Sequence, residues 1–173
     1  MQKKQSVLVT ERLELGPIKD DDKDALIRMF YNDEIKQTFM IPDFAAMEQA
    51  EALFCRMKEY STAEEHVLYG IFLCGELIGF LNDCGINGDE IELGYVIHPD
   101  HKGNGYATEA LTAAIRELFR MGFACIKAGF FEENPASGRV MEKSGMRKSA
   151  HTDEIEYRGK VHRCLYYEAV KES

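Results

Sequence analysis

The sequence predicts a mixed α/β (α+β) fold: a twisted, mostly antiparallel sheet of six to seven strands flanked by about four helices, in the order βαα-βββ-α-β-α-ββ. Three observations carry this prediction. The apolar period switches repeatedly between two and 3.6 residues along the chain. Three strand patterns follow one another from His66 to Ile97, joined by short glycine-bearing turns. The apolar run Ile91 to Ile97 then passes through a glycine-rich turn into a long amphipathic pattern, Tyr106 to Met121.

Taken in order, Ser6 to Leu15 alternates around Val7, Val9, Leu13 and Leu15 and reads as a strand, with Glu11 and Arg12 as a charged pair in its middle. The pair reads as a structural contact at a sheet edge. Asp20 to Asp22 supply anionic first-turn residues for a helix carrying Leu26, Ile27, Met29 and Phe30, with Asn32 and Asp33 marking its end. Pro42-Asp43 opens a second helical pattern, with Ala46, Met47, Ala50, Leu53, Phe54 and Met57 in one stripe. Val67 to Cys74 and Leu77 to Leu81 form a hairpin across Gly75, and Asn87-Gly88-Asp89 turns the chain into a third strand, Glu90 to Ile97. In the helix from near Gly105, the apolar stripe runs from Ala107 to Phe119, with Arg116, Glu117 and Arg120 on the other side. Phe123 to Phe131 reads as a buried strand, and Asn134 to Ser144 as a short helix stopped by Gly145. Met146 to Tyr157 and His162 to Val170 complete the sheet across Arg158-Gly159-Lys160. No repeat, linker or low-complexity segment interrupts residues 1–173, which read as one domain.

Composition narrows the function classes. A formal net charge of −9 argues against nucleic acid as a general partner and favours a cationic one. The basic start, Met1 to Gln5, leads into no apolar core of a signal peptide, and no apolar stretch approaches a membrane span. The five cysteines are scattered without a Cys-x-x-Cys, which suits reduced thiols in a cytoplasm rather than disulfides or zinc. Pro99 breaks the spacing of His98 and His101, so no metal site is expected there.

The turn from His98 to Ala107 carries the chemistry. A helix that opens from a glycine turn leaves backbone N–H groups unpaired and adds the positive end of its dipole, which together seat a phosphate. Gly103 and Gly105 allow close approach to the backbone, Ala107 leaves the first turn unobstructed, and Lys102 adds a cation. A P-loop would end in Gly-Lys-Ser/Thr and a dinucleotide fingerprint would bring a third glycine; neither is present. On spacing alone, a glycine turn of purely structural purpose is the alternative.

Two stretches resemble a known family. Lys102-Gly103-Asn104-Gly105-Tyr106-Ala107 is similar to the acyl-CoA signature Gln/Arg-x-x-Gly-x-Gly/Ala of the GNAT superfamily of N-acyltransferases, with lysine in first place. Asn134-x-x-Ser137 with Glu142-Lys143-Ser144-Gly145-Met146 resembles its second motif, with methionine for the usual phenylalanine. The Thr10-Glu11-Arg12-Leu13 opening and Gly105-Tyr106-Ala107-Thr108-Glu109-Ala110 are similar to the branch of ribosomal-protein N-terminal acetyltransferases. The resemblance implies acetyl-CoA as donor, attacked directly by a primary amine without an acyl-enzyme. It implies Glu92 as base, backbone N–H groups near Val96 and Ile97 as carbonyl polarisers, Asn134 and residues 102–107 as cofactor contacts, and Tyr95 and Tyr106 as groove-lining aromatics. Relatives often use a tyrosine to protonate the leaving thiolate; Met141 stands in its place, leaving Ser137 as the donor. A peptide N-terminus is the leading acceptor; an amino-acid, polyamine or antibiotic amine is the alternative. A non-catalytic acyl-CoA sensor and a nucleotide-binding domain are the readings from other classes. A cytoplasmic monomer or homodimer without metal completes the expectation.

Overall fold

The computed structural model describes residues 2–172. Eight strands form one sheet, in the order β1-β2-β3-β4-β5-β6-β8-β7. They are β1 (Leu8–Val9), β2 (Leu13–Gly16), β3 (Leu68–Leu73), β4 (Glu76–Asn87), β5 (Glu90–Ile97), β6 (Cys125–Phe131), β7 (Arg147–Tyr157) and β8 (Lys160–Val170). Five helices accompany them: α1 (Lys23–Phe30), α2 (Asp33–Thr38), α3 (Met47–Thr62), α4 (Tyr106–Met121) and α5 (Pro135–Lys143). Short 3-10 turns at Asp20–Asp22 and Pro99–His101 precede α1 and the glycine turn.

The mixed, mostly antiparallel class holds, with strand and helix each one above the expected number. The first predicted strand is a hairpin: Thr10 N donates to the Leu13 carbonyl at 2.9 Å, and Leu8 pairs with Leu15. Arg12 therefore lies in a turn rather than mid-strand, and its partner is Glu109, not Glu11. The extra helix is α2, capped by the Asn32 side chain, which accepts from Ile35 N at 3.0 Å. The third helix starts at Met47 rather than at Pro42. Residues 39–46 are irregular and held by tertiary partners: the Tyr157 hydroxyl receives Ile41 N (3.3 Å), and Asp43 bonds both Lys36 and Arg158.

Each sheet face carries its own core. On one face, Leu111, Ala114 and Leu118 of α4 and Met141 of α5 pack on Leu13, Ile71, Leu81, Ile91, Leu93 and Ile126. On the other, Leu26, Met29 and Phe30 of α1 and Phe54 of α3 pack on Leu77, Phe80 and Val96. Strand alternation divides β5 accordingly: Ile91, Leu93 and Ile97 face α4, whereas Val96 faces α1–α3. One charged residue of α4 departs from the expected polar side. Glu117 is only 5% exposed, and its carboxylate is satisfied by Gln5 N (2.7 Å) and the Arg120 guanidinium (2.6 Å).

Candidate donor groove and acceptor face

Among the described residues, β5 and β6 form the one parallel pair of the sheet, and their pairing stops at Leu93–Ala128. Beyond it β5 continues for four residues and β6 for three, and each turns to its antiparallel neighbour, β4 or β8. The two strands splay, and a cavity of about 380 Å³ opens between them and α4–α5. His98 N donates to the Ile78 carbonyl at 2.7 Å. The two-residue alternation of an antiparallel ladder turns the Val96 amide the same way, toward β4, and aims those of Tyr95 and Ile97 into the gap. Of the two amides indicated by the sequence, Ile97's faces the opening and Val96's is spent in the sheet.

The glycine turn closes one end of this groove. Gly103 and Gly105 take φ values of 77° and 80°, the left-handed region that glycine enters without strain. A Cβ at Gly103 would meet nothing within 4 Å, so conformation rather than space calls for glycine. Among the described residues, no side chain caps the α4 N-terminus, which leaves its first N–H groups available to a ligand. Asn104 instead staples the turn, its amide donating to the carbonyls of His101 (3.1 Å) and Lys102 (3.2 Å). Lys102 pairs with Glu34 of α2 at 2.7 Å, both side chains about half exposed. Tyr106 and Ala107 line the groove wall, and Asn134 lies across from them at the start of α5, its side chain making no cap bond.

Inside the groove, the Tyr95 hydroxyl lies 2.9 Å from Ser137 Oγ, a pair in which either hydroxyl can donate, and is placed to donate to the Ser137 carbonyl at 3.1 Å. Burial pushes the Tyr95 phenol up to about 12, so it stays protonated at working pH. The sequence marks Tyr95 only as groove lining; its pairing with a serine 42 residues away leaves no local signal. Met141 is fully buried in the α4–α5 core and points no polar group at the groove.

Glu92 lies on the opposite face of β5 from Tyr95, as the odd spacing requires. Among the described residues it has no hydrogen-bond partner, whereas neighbouring Glu90 is engaged by Lys127 at 2.6 Å. Burial, then the charge of Asp153, push the Glu92 carboxyl above the usual range, outweighing the pull of Lys127 and His151. Asp153 itself bonds His151 Nε2 and the Tyr166 hydroxyl, both at 3.0 Å. Of the aromatic residues of β7 and β8, Tyr166 thus joins the Glu92 face, while Tyr167 bonds Glu142 at 2.7 Å beside α5. Tyr157 anchors residues 39–41, and His162 stacks on Phe131 with ring centroids 4.3 Å apart. Gly94, opposite Asn82 in the ladder, leaves the strand bare where a Cβ would come within 3.0 Å of both Phe39 and Cys84. Among the described residues, no three His, Cys, Asp or Glu side chains gather as metal ligands, and no helix is long and apolar enough to cross a membrane.

A splayed parallel pair closed by an uncapped, glycine-led helix defines an acyl-CoA-dependent acetyltransferase. Residues 12–147 match the family described as the acetyltransferase (GNAT) domain. The chain belongs to that family. It is 30% identical over 147 residues to the uncharacterised N-acetyltransferase YoaA of Bacillus subtilis, covering 82% of this chain and 83% of that one. Its fold is shared with a GNAT-family acetyltransferase from Bacillus anthracis (TM-score 0.81, 22% identity, 95% and 98% of the two chains). It is shared too with RimL, a ribosomal L7/L12 alpha-N-protein acetyltransferase in complex with coenzyme A (TM-score 0.83, 19% identity, 95% and 97%).

Proposed function

We propose that the enzyme moves the acetyl group of acetyl-CoA to the primary amine at a peptide N-terminus. The observation that carries this reading is the division of labour across β5. A free, half-buried carboxylate stands on one sheet face at the splay, and a hydroxyl pair stands on the other. The donor's pyrophosphate lies on the amides of residues 103–107, with Lys102 and Asn134 at its flanks and pantetheine in the gap between β5 and β6. The acceptor enters from the face of Glu92, where His151 and Asp153 of the edge strand β7 stay exposed, open ground that suits a chain end. RimL, named for acting on the α-amine of a ribosomal protein, supports the same choice of acceptor.

Glu92 takes the proton of the alkylammonium, directly or through one water, and the free amine attacks the thioester carbonyl. The Ile97 N–H, facing the gap, stabilises the oxyanion. As the C–S bond breaks, the departing thiolate receives a hydrogen bond from Ser137 Oγ, whose rotamer Tyr95 holds. It leaves as the thiol by taking the second proton shed by the new amide nitrogen. The expected result of Ser137→Ala is a fall in kcat of about tenfold with the KM for acetyl-CoA nearly unchanged, one lost hydrogen bond to a charged group. Tyr95→Phe should give a similar loss, and the double variant no more than the larger single one, because residues acting as one unit are not additive. Additive losses in steady-state kinetics would separate the two residues.

A screen of amine acceptors, read by release of free coenzyme A, tests the function itself. Short peptides with a free α-amine should turn over at least about tenfold faster, by kcat/KM, than free amino acids or polyamines, since remote binding energy orients the amine. Faster turnover of small amines would overturn the peptide assignment, and no thiol release from any amine would leave an acyl-CoA-binding protein without transferase activity.

A further inference from the structure

The least expected contact at the glycine turn comes from the N-terminal hairpin. Arg12, in the turn between β1 and β2, reaches across to the glycine turn, and Nη1 donates to the Asn104 carbonyl at 2.7 Å. Its Nε donates to Glu109 Oε2 at 2.7 Å, and its guanidinium carbon lies 4.6 Å from the centre of the Tyr106 ring. Glu109 is itself fixed by Thr10 Oγ1 (2.6 Å) and by the Arg12 amide (2.8 Å).

Two physical problems meet at this spot. The α4 N-terminus must keep its amides uncapped for the donor, so nothing on the groove side can hold the turn still. A trans peptide points its C=O and the following N–H in opposite directions. Holding the Asn104 carbonyl from behind therefore aims the Gly105 N–H into the groove. The second problem is charge. Glu109 lies in the first turn of α4, beside the seat of an anionic pyrophosphate. The Arg12 guanidinium offsets that carboxylate on the side away from the ligand.

We propose that Arg12 is a positioning residue for donor binding: by pinning the Asn104–Gly105 peptide and offsetting Glu109, it presents the turn's amides to the pyrophosphate of the acyl donor. This rests on the reading that the pyrophosphate sits at residues 103–107. Burial alone would raise the Glu109 carboxyl, but the bonds from Thr10 and from the Arg12 amide and side chain outweigh it and hold the group below the usual carboxylate range. Glu109 is thus ionised whenever the donor arrives, and the offset is needed throughout the working pH range.

The test compares two donors on the full-length enzyme, acetyl-CoA and acetyl-pantetheine, which lacks the pyrophosphate. Arg12→Met should lower kcat/KM for acetyl-CoA by about 10- to 30-fold through KM, the size of one charge-assisted hydrogen bond, and leave acetyl-pantetheine within about twofold. Amide exchange at Gly105 and Tyr106 should quicken in the same variant. Arg12→Lys keeps the charge but cannot span Asn104, Glu109 and the Tyr106 ring together, so it should recover only part of the loss. Equal losses with both donors, or full recovery by lysine, would overturn the pinning role. If the wild-type enzyme itself used both donors equally well, the pyrophosphate seat would be misplaced, a failure distinct from that of Arg12.

Discussion

Glu92→Gln lowers turnover by about 10²- to 10³-fold, the range for losing a positioned general base, while binding of acetyl-CoA measured by calorimetry stays within about twofold. The pH dependence sharpens this expectation. Burial and Asp153 raise the Glu92 carboxyl, and only its ionised form can accept the ammonium proton. For the wild-type enzyme kcat/KM therefore climbs with pH through a limb above the ordinary carboxylate range, and glutamine abolishes that limb. Asp153→Asn removes one of the two influences that raise Glu92, so the limb moves to lower pH. A variant that kept full turnover and an unaltered profile would remove Glu92 from the chemistry and turn attention to a base carried by the substrate or by water.

Gly79→Ala brings the largest expected loss of stability. A Cβ there falls far inside contact distance of the Val96 carbonyl and lies 3.2 Å from Ile97 Cα. Both neighbours are backbone of the central strand, so no side chain can swing aside. The cost is about 3 kcal/mol or more, at the upper end of overpacking effects, because the strand itself has to move. For a chain of this size that is a drop of roughly 6–12 °C in Tm. Gly85→Ala is the matched control, since its Cβ would meet nothing within 4 Å and its φ is not positive. Thermal melts within about 1 °C of each other would show that β4 and β5 yield more easily than close packing allows.

The parts of the fold legible in sequence are those whose cause is local. Gly75 and Gly88 adopt positive φ where turns were expected, and α4 follows its apolar stripe from Tyr106 to Met121. The glycine turn was readable because a left-handed conformation at Gly103 and Gly105 restricts the residue type. Tertiary causes were silent. Six residues are too few for a helical period, so α2 rests on the Asn32 cap and on Lys36, whose buried ammonium meets Asp43 at 2.9 Å over the faces of Tyr31 and Phe44. The turn that splits the first strand is closed locally by Thr10 and Leu13, but the place of Arg12 within it is fixed by Glu109, 97 residues away. Tyr95 reads only as groove lining because its value lies in a serine on another element. For Arg12 and Tyr95 the deciding partner is distant in sequence, and for α2 it lies in the irregular segment that follows, so no periodic pattern announces it.

The splay between β5 and β6 has a bearing on how such enzymes diverge. Amides that face the gap belong to the main chain, and no substitution other than proline can delete a main-chain N–H. Donor recognition built this way tolerates drift in side chains so long as the strand path and the glycine turn persist. The proposed acceptor face is different in kind: Glu92, His151, Asp153 and Tyr166 present side chains that a single codon change can replace. One scaffold can thus retain its donor while exploring new acceptors, with the two specificities inherited through different parts of the peptide.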